Sequence, residues 1–129
     1  MADIDRQSLR HSVEVVGEPW RESAYYDDAE AWLHVFWGEG TQFRRLFDQL
    51  DLDAVVELAC GHGRHAELVA PRAGRLTLID IFDENLTYCR NRLKVFSNVD
   101  YIMGDGFSFK PLPNACATAI FCCGLNPHA

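Results

Sequence analysis

Two glycines fall within nine residues, Glu57-Leu-Ala-Cys-Gly61-His-Gly63-Arg-His65, directly after a short β-prone run. Glycine lets a chain turn sharply and brings backbone N–H groups against a ligand with no Cβ in the way. A helix starting just beyond adds free N–H groups and the positive end of its dipole. Such a turn suits a phosphate, a carboxylate or a nucleoside, and Glu57 sets a carboxylate beside it. The spacing Gly61-x-Gly63-x-x-Ala66 satisfies the dinucleotide fingerprint with Ala in last place, so the loop alone does not choose among nucleotide cofactors. A second acid, Asp80, closes the apolar run LTLID 17 residues after Gly63. A carboxylate at a strand end accepts both hydroxyl hydrogens of a ribose through charge-assisted bonds. The bland role for such a residue is a helix N-cap, which Asp83 is better placed to fill. The third candidate is Gly104-Asp105-Gly106 after a further strand, where a plain Asp-Gly turn is the competing reading.

The elements that position these groups follow from periodicity. Residues 54–59 (AVVELA) read as a first strand and residues 64–70 as a helix closed by Pro71 and Gly74. Residues 76–81 (LTLIDI) are a second strand. A helix capped by Asp83 follows, with Leu86, Cys89, Leu93 and Phe96 on one side. Residues 99–103 and 117–123 (ATAIFCC) complete four strands. Strands alternating with helices at this spacing predict βαβ units and a parallel sheet, with all three candidate groups at carboxyl ends. Upstream, residues 25–37 are aromatic and helical in rhythm until Gly38 and Gly40 break them. Thr41 then caps a second helix whose Phe43, Leu46, Phe47 and Leu50 form an apolar stripe at i, i+3, i+4 and i+7.

Composition narrows the classes. With 129 residues, 48% hydrophobic content and a net charge of −7, the chain reads as one soluble globular unit. No apolar run reaches the roughly 18 residues of a spanning helix. The acidic N-terminus lacks a signal-peptide layout, so a cytoplasmic location is expected. Five cysteines, none before Cys60, do not make a secreted disulfide framework and read as reduced, mostly buried thiols. Vicinal Cys122 and Cys123 end an apolar strand and read as core. The charge of −7 falls entirely in residues 1–56, and neither part presents the basic footprint of a nucleic-acid binder. Cys60, His62 and His65 crowd one turn without a spaced second pair, so no metal site is expected.

The acid plus Gly-x-Gly after strand one, the acid after strand two and the Gly-Asp after strand three resemble class I S-adenosylmethionine (SAM) dependent methyltransferases over residues 53–123. The aromatic segment around Tyr25, Tyr26, Trp32 and Trp37 is similar to the helical cap of small-molecule members. The resemblance implies an α/β, Rossmann-like parallel sheet of strand order 3-2-1-4, with residues 1–52 as cap and 53–129 as cofactor-binding core. It implies SAM as cofactor and a small-molecule methyl acceptor, with no nucleic-acid or membrane partner. It places Glu57, Ala59, Gly61 and Gly63 at the methionine end of the pocket and Asp80 on the ribose. Ile81 would pack on the adenine, and Asp105 would accept from its amino group beside Gly106 and Phe107. Ala59 stands where the family carries its first loop glycine, a departure expected to cost little because only a methyl must fit.

The resemblance assigns no catalytic residue, because the family's acceptor side comes after strand four, and ATAIFCC is followed by six residues. The core is therefore expected to be incomplete, with strand four as an apolar edge able to pair with a second copy. Two other readings are an NAD-dependent oxidoreductase and a non-catalytic SAM-binding or dimerising fragment. The aromatic sequence before strand one and the Gly-Asp-Gly after strand three weigh against the first.

Overall fold

A computed structural model describes residues 33–106, 108 and 112–123. Among them, strand β1 (Ala54–Leu58) is central, and its Val55, Val56 and Glu57 are all buried. A strand covered on both faces needs a continuous apolar run, which AVVEL supplies at every position but one. Strand β2 (Arg75–Asp80) alternates instead, sending Leu76, Leu78 and Asp80 inward. With β3 (Val99–Met103) and β4 (Ala119–Phe121) these form one sheet of order β3-β2-β1-β4, every pair parallel. The expected strand order and α/β class hold.

Four helices are described: α1 (Leu33–Trp37), α2 (Gln42–Phe47), α3 (Ala66–Val69) and α4 (Asp83–Arg92). Residues 25–32 of the expected aromatic helix lie outside the described residues. Thr41 does cap α2, its hydroxyl accepting from the Arg44 N–H at 3.2 Å. The α2 stripe is narrower than its spacing predicts. Phe43 and Phe47 pack inward, while Leu46 and Leu50 are exposed. The helix ends at Phe47, so Leu50 is off it, and Leu46 is rotated away from the face that Phe43 and Phe47 share. On the inner face, Trp37 meets the Phe43 and Phe47 rings edge-on with centroids 5.1 and 4.9 Å apart. Phe47 in turn meets Phe121 of β4 at 5.5 Å. This aromatic chain joins α1 and α2 to the sheet, each pair adding about 0.5–1.5 kcal/mol beyond buried area.

Three boundaries differ from expectation. Helix α3 spans four residues rather than residues 64–70. Strand β4 spans three residues rather than seven, and just before it the Thr118 hydroxyl accepts from Ala54 N and donates to Asp51 O. Asp83 is the first residue of α4 and not its cap; Phe82 holds that position without a side-chain bond. An oxygen from β2 serves the helix start instead, since the Asp80 carboxylate accepts from Phe82 N at 2.9 Å. Leu86, Cys89 and Leu93 line the buried side of α4 as expected, with Phe96 packed against them.

Candidate functional site

Glu57 near the end of β1 and Asp80 at the end of β2 stand toward the carboxyl ends of adjacent parallel strands, and both are buried, to 1% and 6% exposure. Between them the chain makes its turn with three residues at positive φ: Ala59 at 54°, Gly61 at 56° and Gly63 at 81°. Left-handed backbone costs an L side chain roughly 1–2 kcal/mol. Ala59 is therefore strained by its backbone, which an argument from methyl size alone overlooks.

The turn is pinned from three directions. Cys60 N donates to Ile79 O at 3.2 Å, and Gly61 N donates to Asp80 Oδ2 at 2.9 Å. The buried Cys89 thiol of α4 donates to Gly61 O at 3.2 Å. A Cβ on Gly63 would stand 3.0 Å from that same sulfur. Replacing Gly61 with Val, a β-branched residue that shuns positive φ, is expected to abolish ligand binding while leaving helical circular dichroism nearly unchanged. Unaltered affinity would return the turn to a purely structural part.

Asp80 is the hub. Its Oδ1 accepts from Phe82 N at 2.9 Å and from Asn85 Nδ2 at 3.2 Å, and its Oδ2 accepts from Gly61 N. Its own carbonyl accepts from Gly104 N at 2.9 Å, which ties the end of β3 alongside. Burial raises the Asp80 pKa, and the Phe82, Gly61 and Asn85 donors pull it back in part. Glu57 has no such support: its Oε2 is buried and accepts no hydrogen bond. Burial pushes its pKa well above the ordinary carboxylate range, with Cys89 and Asp80 adding to the rise and Arg64 opposing it.

The remaining predicted residues lie around this hub. Ile81 follows Asp80, half-buried in the turn into α4. Asp105 is engaged by Ser108, whose N–H and hydroxyl donate to its two oxygens at 2.8 and 2.6 Å. Gly106 has φ 85°, and Phe107 lies outside the described residues. Cys60, His62 and His65 diverge: Cys60 packs on Cys89, His62 stacks on Tyr88, and His65 turns to Trp37 of α1. Among the described residues no three His, Cys, Asp or Glu side chains gather as a metal site. All five cysteines are free, but only Cys60 and Cys89 are buried. Cys122 is exposed, not core, because strand alternation turns it away from the side that buries Phe121. Burial, then the Glu57 and Cys122 charges, push the Cys123 thiol up to about 12.

Three contributors escaped sequence reasoning. Trp37 Nε1 donates to His65 Nδ1 at 2.8 Å, fastening α1 to the glycine turn. Burial and then Arg64 lower the His65 pKa to about 4, so the ring is neutral. A neutral imidazole has one acceptor nitrogen, so the Arg64 Nε at 3.1 Å from Nε2 competes with Trp37 and loses to the shorter bond. Asn85 and Cys89 are the other two. Their signal was present in the i, i+4 spacing that sets both on the inner side of α4.

A family model described as a methyltransferase domain matches residues 55–129. The chain belongs to the methyltransferase domain family. It is 25% identical over 105 residues to nodulation protein S of Sinorhizobium fredii, covering 81% of this chain and 45% of that protein. This methyltransferase domain thus spans under half the length of that curated relative. Among solved structures, a SAM-dependent methyltransferase from Aquifex aeolicus superposes with TM-score 0.57 at 15% identity, over 93% of this chain and 57% of the other. Phosphoethanolamine N-methyltransferase 1 of Haemonchus contortus, bound to phosphoethanolamine and S-adenosylhomocysteine, gives TM-score 0.58 at 16% identity, over 80% of this chain and 23% of the other. These neighbours share the Rossmann-like sheet.

Proposed function

We propose that this methyltransferase domain binds SAM and takes part in methyl transfer to a small-molecule acceptor. The observation that carries the reading is the buried Asp80 carboxylate at the end of β2, bonded to Gly61 N of the glycine turn. The residues present suit the cofactor. Asp80 would take the ribose hydroxyls, and the orphaned Glu57 carboxyl would pair with the methionine ammonium. Ala59, Gly61 and Gly63 would shape the methionine end, Ile81 the adenine face, and Asp105, Gly106 and Phe107 the far side of the ring. When bound, SAM supplies a methyl group already activated on a sulfonium, so transfer depends mainly on alignment with the acceptor. The chain's own part is to orient the nucleoside from Asp80 and to hold the turn rigid through Cys89 and Gly104.

Residues 1–52 serve in this reading as a cap over the core, a role supported by the Trp37–His65 bond. A small acceptor fits that cap and fits the phosphoethanolamine enzyme among the structural neighbours. We place the protein in the cytoplasm. Its cysteines are all free thiols, and among the described residues no helix is long and apolar enough to cross a membrane. Calorimetry with SAM, S-adenosylhomocysteine and NAD in parallel tests the cofactor. Binding of the first two and not NAD is expected, and a preference for NAD sinks the reading.

We propose further that the chain self-associates through β4. Among the described residues β4 pairs only with β1, and its Ile120 is 57% exposed. An unpaired apolar edge is a template for a second copy. Light scattering should show concentration-dependent dimers that Ile120→Lys weakens. A monomer at high concentration ends that idea.

A further inference from the structure

A carboxylate has about four lone-pair sites. Asp80 already fills three of them from within the chain: Phe82 N and Asn85 Nδ2 on Oδ1, and Gly61 N on Oδ2. A ribose diol donates two more hydrogen bonds, at least one beyond what remains, since the Ile81 N–H also bears on the Asp80 carboxylate. One internal donor must therefore give way when a nucleoside enters. Phe82 N and Gly61 N are backbone groups fixed at 2.9 Å by the start of α4 and by the glycine turn. Asn85 Nδ2 is a side-chain group on the longest of the three bonds, 3.2 Å.

We propose that Asn85 is the second half of a diol clamp, its direct bond to Asp80 being replaced by one hydroxyl of the ligand's ribose set between them. A hydroxyl both donates and accepts. Placed there, it donates to Asp80 Oδ1 and its oxygen accepts from Asn85 Nδ2, so no polar group is stranded. The other hydroxyl takes the remaining site on Oδ2. Asn85 is only 3% exposed and lies on the first turn of α4. It therefore reaches this position without reordering a surface side chain. In the free protein the same amide satisfies Asp80 Oδ1, which keeps the carboxylate aligned before the ligand arrives. The clamp makes Asn85 a determinant of selectivity for a vicinal diol over a deoxy sugar.

This inference rests on the reading of Asp80 as the nucleoside anchor, and the experiment separates the two. Parent, Asn85→Ala and Asp80→Ala are titrated by calorimetry with S-adenosylhomocysteine and with its 2′,3′-dideoxy analogue, with thermal melts alongside. Asn85→Ala is expected to lose about tenfold in affinity for S-adenosylhomocysteine and almost none for the analogue. An equal loss on both ligands would assign Asn85 a merely structural role and overturn the clamp, as would parent-like affinity for S-adenosylhomocysteine. Should Asn85→Ala melt too low to titrate, Asn85→Leu keeps the volume without the amide and is judged by the same two outcomes. If Asp80→Ala binds S-adenosylhomocysteine like the parent, the anchor itself is wrong and the clamp falls with it. If only Asp80→Ala loses binding, the anchor stands and the clamp alone is overturned.

Discussion

Asp80→Ala is expected to weaken S-adenosylhomocysteine binding by at least about tenfold, since each hydrogen bond to a charged group is worth roughly 1.5–3 kcal/mol. Two effects push against each other in that substitution. Removing a buried carboxylate relieves the desolvation that raises the Asp80 pKa, which favours the free protein. The same change strips acceptors from Gly61 N and Phe82 N and leaves the buried Asn85 amide without its partner, each orphan costing about 1–3 kcal/mol. Three orphans outweigh one relieved charge, so the variant should melt below the parent as well as bind poorly. Asp80→Asn keeps the shape and one acceptor oxygen, and should melt closer to the parent while still binding weakly, because its NH₂ faces N–H donors. Calorimetry and melting curves on both variants read these effects separately. Parent-like affinity in either variant would remove Asp80 from the ligand site.

The sheet was legible because its signals are local and repeated. Val55, Val56, Leu76 and Leu78 mark buried strands wherever the chain is placed, and the acids and glycines stand where those strands stop. What the sequence hid depends on contacts between distant segments. The cap of α4 was assigned to Asp83 by a rule that looks only at the adjoining residue, whereas the oxygen comes from Asp80 across the turn. The bond between Trp37 and His65 joins residues 28 apart, and neither type announces it. The strain at Ala59 is a backbone angle, invisible to any argument from side-chain size. Asn85 was overlooked for a different reason. It sits beside the apolar positions of α4, where a periodicity count passes over a polar residue, although a buried amide always needs partners.

Glu57 should make the free protein less stable as pH rises. Its folded pKa lies well above the value in an unfolded chain, so the folded state holds the proton more tightly between the two. Stability from this group is present below the unfolded pKa and is lost as pH rises through the folded one, at about 1.4 kcal/mol for each pH unit between them. His65 acts in the other direction, because its pKa is lowered to about 4 and its contribution is lost as pH falls. Comparing Glu57→Gln with the parent at each pH cancels His65 and leaves Glu57 together with its coupling to Asp80. The two proteins should melt together below the unfolded carboxylate pKa, and Glu57→Gln should gain on the parent as pH rises from there toward the folded pKa. Ligand binding should show the reverse order, since only the ionised carboxylate pairs with a methionine ammonium. Glu57→Gln is then expected to be the more stable protein and the poorer binder, with parent affinity rising with pH over the window in which parent stability falls. In the proposed reading, the cost of this buried, unpartnered acid to the fold is offset by the attraction it offers to the cofactor's ammonium. Melting curves that run parallel at every pH would show that folding leaves the Glu57 carboxyl as easily ionised as in the unfolded chain, and its burial would then carry no such cost.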